Sequence, residues 1–147
     1  MSNDPLTAAF DAARQAAGAG EVPVGACVAR AGRIVAVAGN RTLREHDPTA
    51  HAEILAIRAA CKELGQERLV DCDLYVTLEP CAMCAGAISL ARIRRLYFGA
   101  EDIKGGGVEH GPRFFSQPTC HHAPDVYGGL REIEAARLLR DFFLARR

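Results

Sequence analysis

No stretch of the 147-residue chain stays apolar over the roughly 20 residues that a membrane-crossing helix needs. The amino-terminal segment MSNDPLTAAFDAARQ lacks a basic start followed by an apolar run, so it carries no export-signal pattern. Net charge of either sign is also missing. Lys and Arg number 18 and Asp and Glu number 18, so bulk charge neither favours nor excludes a nucleic-acid partner. There is no internal repeat, low-complexity tract or linker. These absences exclude a membrane span, a repeat array and a disordered chain. The expectation is one cytoplasmic domain spanning residues 1–147.

What is present is enough apolar material for a core, at 49% of the residues. Six cysteines are present (Cys27, Cys61, Cys72, Cys81, Cys84 and Cys120), and without an export signal they read as thiols or metal ligands rather than disulfides. Cys27 and Cys61 sit in apolar, periodic segments and read as small core residues. Cys72 and Cys120 carry no clear signal. Positive charge gathers at Arg92, Arg94 and Arg95, and again at Arg137, Arg140, Arg146 and Arg147. Two readings stand open for it: a solvated helix face complementing the helix dipole, or a phosphate-binding surface.

Asp4-Pro5 predicts a helix start, with Leu6, Ala9, Phe10, Ala13 and Ala17 at helical spacing up to Gly18 and Gly20. Val24–Arg30 and Arg33–Ala38 read as strands of a hairpin turning at Ala31-Gly32. Thr49–Leu64 reads as a helix, apolar on nearly every side and so largely buried, closed by Gly65. Further elements are expected at Leu74–Leu78 (strand), Cys81–Ala91 (helix), Ile93–Phe98 (strand) and Asp125–Tyr127 (strand), with an amphipathic helix over Leu130–Arg146. Residues 103–124, rich in Gly, Pro and His, read as a long ordered functional loop, in which Phe114 and Phe115 are buried anchors or stacking surfaces. A hairpin followed by alternating helix and strand points to a mixed sheet with helices on its faces.

The pattern that carries chemistry is His51-Ala52-Glu53 followed some thirty residues later by Pro80-Cys81-Ala82-Met83-Cys84. Catalytic zinc takes three protein ligands and keeps a fourth position for water, and one imidazole with two thiolates meets that count. Cys81 and Cys84, three apart, project from one helical face. His51 and Glu53 are two apart, roughly 200° around a helix, and share a site only at a helix tip. Both helices are therefore expected to aim their N-termini at the metal, where free N–H groups favour anions. Pro80 suits the first turn, where its missing N–H costs little. Glu53 is expected to stay unligated and move protons. A structural zinc site would instead need a fourth side chain, with His46, His110, His121 or His122 as candidates.

The combination H-x-E plus P-C-x-x-C is the signature of zinc nucleobase deaminases, and at these residues the chain resembles the cytidine deaminase superfamily. More closely, it resembles the bacterial tRNA adenosine deaminase branch, through EVPVGA at 21–26, GNR at 39–41, TAHAEILAIR at 49–58, LYVTLEPCAMCAGAI at 74–88, RIRRLYFGAEDIKGG at 92–106 and DFFLARR at 141–147. The resemblance implies a three-layer α/β/α sandwich around a five-stranded mixed sheet. It also implies one zinc per subunit on His51, Cys81 and Cys84, and Glu53 as the proton shuttle. The implied reaction is hydrolysis of the wobble adenosine (position 34) of an ACG-anticodon arginine tRNA to inosine by a homodimer whose two subunits both touch the anticodon stem-loop.

Carried over position by position, Asn40 would hydrogen-bond the target base, Val24 and the His51 ring would sandwich it, and the Ala52 and Pro80 backbone would meet its reacting side. Asp102, Lys104, Phe143 and Arg146 would contact RNA beside it. Read without the resemblance, Val24 and Phe143 are core residues, Asn40 a turn residue, and Asp102 and Lys104 ordinary loop charges. The stretch GVEHGPRFFSQPTCHHAP at 107–124 departs from the commoner family pattern, and His121-His122 takes the place of an Asn-His pair, leaving His122 as the RNA contact there. Two other functions share the motif: a deaminase of free guanine, cytosine or nucleoside, and a non-enzymatic zinc-stabilised interaction module.

Overall fold

The computed structural model describes residues 3–146, so Arg147 of the carboxy-terminal basic group lies outside the described residues. Its elements are α1 (Pro5–Gly18), β1 (Gly25–Arg30), β2 (Arg33–Gly39), α2 (Ala52–Leu64), β3 (Cys72–Leu78), α3 (Ala82–Ala91), β4 (Arg95–Ala100), a 3-10 turn (Phe114–Ser116), β5 (Asp125–Tyr127) and α4 (Glu132–Leu144). The strands form one sheet in the order β2-β1-β3-β4-β5. Its pairs β1–β2 and β1–β3 are antiparallel, and β3–β4 and β4–β5 parallel. This is the expected mixed five-stranded sheet.

The period-two alternation of the strands sorts side chains to two layers. Ala26, Val28, Leu74, Val76, Leu96 and Phe98 face one way and pack on Ala52, Ala56, Ile57 and Ala60 of α2 and on Ala85 and Ile88 of α3. A smaller cluster on the other side joins Phe10 of α1 and Ala135 of α4. Helix α1 lies close on the sheet because Gly25 and Gly39, which are paired across β1 and β2, have no side chain there. A Cβ on Gly25 would fall 1.9 Å from the Ala9 carbonyl oxygen, and one on Gly39 would fall 2.8 Å from that of Ala12.

Several boundaries differ from the sequence reading, and one difference matters for chemistry. Helix α2 starts at Ala52, not Thr49, because Asp47 folds residues 47–50 into a turn by accepting the Thr49 N–H and hydroxyl at 2.9 and 2.7 Å. His51 becomes the N-cap, with extended backbone (φ −73°, ψ 151°). The helix is also buried on one face only: Arg58, Ala59 and Lys62 are exposed. Strand β4 runs from Arg95 to Ala100, since Arg92 closes α3 in the left-handed region (φ 61°) and delays the strand by two residues. Asp4 caps α1 as expected, accepting the Thr7 N–H. Ala31 and Gly32 turn the hairpin with φ of 51° and 77°.

All six cysteines are free thiols. Cys27 and Cys72 are fully buried, while Cys61 is only partly so. Phe114 and Phe115 pack against the α2/α3 core, the anchor reading of the two. Among the described residues no helix is long and apolar enough to cross a membrane.

The registers place the N-terminal end of β1 and the C-terminal ends of β2, β3 and β4 along one edge of the sheet. The loops at that edge are tied down by buried Glu21, 1% exposed. Its carboxylate accepts the N–H of Leu43 (3.1 Å), the N–H of Arg44 (2.9 Å) and the Arg44 guanidinium (3.0 Å), and Arg44 in turn donates to the Asn40 carbonyl at 3.0 Å.

Burial pushes the Glu21 carboxyl up, but these donors outweigh it and hold it below the ordinary range. A depressed folded pKa stabilises the fold above the unfolded value of about 4.3 and loses that contribution as pH falls through the folded pKa. Glu21→Gln is therefore expected to cost about 1–3 kcal/mol near neutrality, with the gap to wild type narrowing below about pH 4. Denaturant titrations across that range check it. A gap that stays constant with pH contradicts it.

Candidate active site

Two helix N-termini converge at this edge. His51 is the N-cap of α2 and Cys81 the N-cap of α3, and neither side chain caps its own helix. Freed from that duty, both point beyond the helix tips, where the third residue of the group, Cys84, rises from the first turn of α3. His51 Nδ1 lies 3.6 Å from Cys81 Sγ and 3.5 Å from Cys84 Sγ. All three donor atoms fall within 4.8 Å of one another. These separations are those of a tetrahedral site with Zn–N and Zn–S bonds of about 2.0 and 2.3 Å, whose corners lie roughly 3.5 Å apart.

The electrostatics of the group favour thiolate at Cys81. The Cys84 thiol hydrogen-bonds Cys81, and together with His51 this holds the Cys81 thiol down at about 4. The same pairing, with burial, pushes Cys84 up, and the bond to Cys81 raises His51. The uncapped N–H groups of α2 and α3 add partial positive charge beside the thiolate.

Among the described residues no fourth His, Cys, Asp or Glu joins the group. Two of the other histidines are committed elsewhere: His110 to Glu79 at 2.8 Å, and His122 to the Ile93 carbonyl at 2.6 Å. Glu53, in the first turn of α2, is 4% exposed and hydrogen-bonded with Cys84. Burial raises its carboxyl to about 7 against the lowering effects of its own N–H and of His51.

A cavity of about 290 Å³ opens in front of the group. It is lined by Val24, Asn40, His51, Glu53, Cys81 and Asp102, all singled out in the sequence, and also by Val22, Thr42, Leu78 and Glu79, which were not. Next to it lies a groove of about 380 Å³ that shares Val22, Leu78 and Asp102 with the cavity and adds Glu101, Ile103, Lys104, Leu139 and Phe143. Phe143, 54% exposed, is thus a groove wall and not a core residue. Ile103, 77% exposed, went unnoticed because a lone apolar residue in a charged loop gives no pattern.

Not every residue singled out comes to this place. Ala52 and Pro80 are buried beside the group, and the Pro80 carbonyl already accepts the Gly107 N–H at 2.8 Å. Arg146 lies over the Phe142 ring, 3.5 Å from its centroid. His122 sits at the opposite end of the sheet, where Ile93 leads into β4. Of the first arginine cluster, Arg94 is engaged by Asp73 at 3.0 and 2.8 Å and Arg92 by the Ser89 carbonyl, while the Arg95 Nε is buried without a partner among the described residues. Arg137 and Arg140 remain exposed on α4.

Comparison with known proteins puts this geometry in context. The cytidine and deoxycytidylate deaminase zinc-binding region matches residues 2–100. A tRNA-specific adenosine deaminase of Agrobacterium fabrum (strain C58) is 65% identical over 92% of this chain and 89% of its own length. A solved structure from a study of A-to-I editing by tRNA:A34 deaminases at the wobble position of transfer RNA superimposes with a TM-score of 0.91 at 62% identity, covering 94% of this chain and all of that one. A guanine deaminase from Bacillus subtilis is more distant, at 35% identity and a TM-score of 0.66 over 97% of this chain and 91% of its own. The chain belongs to the cytidine and deoxycytidylate deaminase family and, within it, to the tRNA-specific adenosine deaminases.

Proposed function

We propose that the protein hydrolyses the exocyclic amine of adenosine at position 34 of a tRNA, giving inosine and ammonia, with an ACG-anticodon arginine tRNA as substrate. One observation carries the reading: a buried, unligated carboxylate, Glu53, stands beside a three-donor metal group at the floor of a cavity of nucleobase size.

His51, Cys81 and Cys84 would hold one zinc per chain, which when bound supplies an acidified water for attack on the purine. Glu53 would take one proton from the attacking water and deliver it to the ring nitrogen N1, then take the second from the added hydroxyl and pass it to the departing amine, which leaves as ammonia. A carboxylate buried beside the donor group and reaching into the cavity suits the task of both accepting and giving up a proton. Asn40 would hydrogen-bond the base, and Val24 and the His51 ring would clasp its faces. The Ala52 and Pro80 backbone would meet its reacting side. The adjoining groove, with Asp102, Lys104 and Phe143, would take the flanking nucleotides by stacking and phosphate contact, and Arg146, which stacks on Phe142 outside the groove, would contact RNA from beyond the end of α4. A free base has no use for such a groove.

The tRNA would be processed in the cytoplasm, by a homodimer. On α3, Leu90 (76% exposed) lines a cavity with Ile57, Ala87, Ala91 and the charged Glu67, Arg68 and Arg92, and Met83 (38% exposed) lies about two turns away on the same helix. A second copy covers such a face with its own equivalent. Each tRNA would then touch both subunits, and His122, remote from the cavity of its own chain, would serve the neighbouring one.

The direct experiment is to incubate the purified protein with the arginine tRNA and sequence position 34. Inosine is expected, its formation falling steeply with rising salt as phosphate contacts release counterions. Release of ammonia from guanine or cytosine with no inosine formed would overturn the substrate. Glu53→Ala is expected to keep its zinc and lose turnover by a factor of about 10³ or more. An active Glu53→Ala protein contradicts the assignment of the shuttle. For the assembly, light scattering should give twice the 15.8 kDa chain mass for wild type and a monomer for Leu90→Glu. A monomeric wild type defeats that part of the proposal.

A further inference from the structure

Glu79 lies in the sequence Leu78-Glu79-Pro80-Cys81, between the end of β3 and the first sulfur of the metal group, and lines the cavity in front of that group, yet its carboxylate serves another loop. Its side chain is fully buried. One carboxylate oxygen accepts the Asp102 N–H at 3.1 Å and meets His110 Nδ1 at 2.8 Å. The other accepts the N–H groups of Val108 (3.2 Å), Glu109 (2.9 Å) and His110 (3.2 Å). Five donors saturate it, all from residues 102–110. A carboxylate so committed has no capacity left for substrate, and what it does is fix that loop.

The loop is built to close on it. A Cβ on Gly106 would fall 2.4 Å from the Glu79 oxygen and 2.4 Å from the Asp102 carbonyl, and one on Gly107 would fall 2.5 Å from the Ala82 nitrogen at the head of α3. Gly107 also donates to the Pro80 carbonyl at 2.8 Å. The closed loop presents Asp102 to the cavity and Asp102, Ile103 and Lys104 to the groove beside it.

We infer that Glu79 and His110 form a clamp that sets the register of the flanking nucleotides, as positioning residues that take no part in proton transfer. The inference rests on the proposed RNA substrate, and it assigns a task to His110, which lies in the stretch where the sequence departs from the commoner pattern. With the clamp open, residues 102–104 lose their place against the RNA, while His51, Cys81, Cys84 and Glu53, held by the two helix tips, keep theirs.

The test compares His110→Ala, His110→Asn and wild type, because an Asn amide nitrogen occupies the place of Nδ1 and restores the donor. For an anticodon stem-loop, His110→Ala is expected to raise KM about tenfold, the loss of one hydrogen bond to a charged group. Its kcat should stay within about twofold and its zinc content should be unchanged. His110→Asn should recover most of the loss. Amide exchange, read without substrate, should quicken in residues 102–110 of His110→Ala and nowhere in the sheet. A KM unchanged in His110→Ala, a loss confined to kcat or accompanied by loss of zinc, an Asn variant no better than Ala, or unchanged exchange in the loop would overturn the clamp. Were wild type inactive on the stem-loop, the proposed function would fall, and the exchange measurement would still decide whether the clamp exists.

Discussion

The constraint on which this molecule rests is the meeting of two helix N-termini at one point. A helix tip leaves backbone N–H groups without partners, and a side chain at the N-cap ordinarily satisfies one of them. In α2 and α3 the N-cap residues are His51 and Cys81, and neither does so. Both donate outward to a shared point and leave the field of two helix ends undiminished beside it. The Cys84 thiol, the imidazole and that field together favour thiolate at Cys81. The same geometry lets Glu53, one residue beyond Ala52, reach the point without joining the donor set. Sheet registers and loop lengths serve this meeting, by bringing the ends of β1, β2, β3 and β4 to the same edge.

Around that fixed centre, the variable parts are held by buried carboxylates acting on backbone N–H groups. Glu21 braces the segment that follows Asn40, and Glu79 braces the segment that carries Asp102 and Lys104. Loops without regular structure need partners for their N–H groups, and a single carboxylate with several lone pairs satisfies more of them than any neutral side chain. The walls of the cavity and the groove are therefore rigid for a reason separate from the metal group. Base recognition and chemistry are supported by different interactions.

Much of this was legible in the sequence because it is local. Asp4-Pro5, Ala31-Gly32, the apolar run of β1 and the alternation of β3 each state their structure within a few residues. The pair H-x-E and P-C-x-x-C names its ligands by chemistry and spacing. What could not be read depends on contacts between distant segments. Nothing within reach of Glu21 or Glu79 shows that their donors lie more than twenty residues away, so neither organising residue stands out in the sequence. The turn at Asp47 took three residues from the expected start of α2, since helical periodicity from Ala50 onward hides a competing side-chain turn. Without the resemblance Phe143 read as core, because an amphipathic helix does not show which of its apolar residues the sheet leaves uncovered. His122 was expected near RNA by alignment of motif, and its carbonyl partner, Ile93, belongs to the far end of the sheet.

X-ray absorption at the zinc edge of the purified protein tests the central arrangement most directly. Two sulfur neighbours at about 2.3 Å and two lighter ones at about 2.0 Å, with one of the lighter ones exchangeable with solvent, are expected of His51, Cys81 and Cys84 with an open fourth corner. A shell of four protein donors that is closed to solvent, or a protein that binds no zinc, would contradict the account.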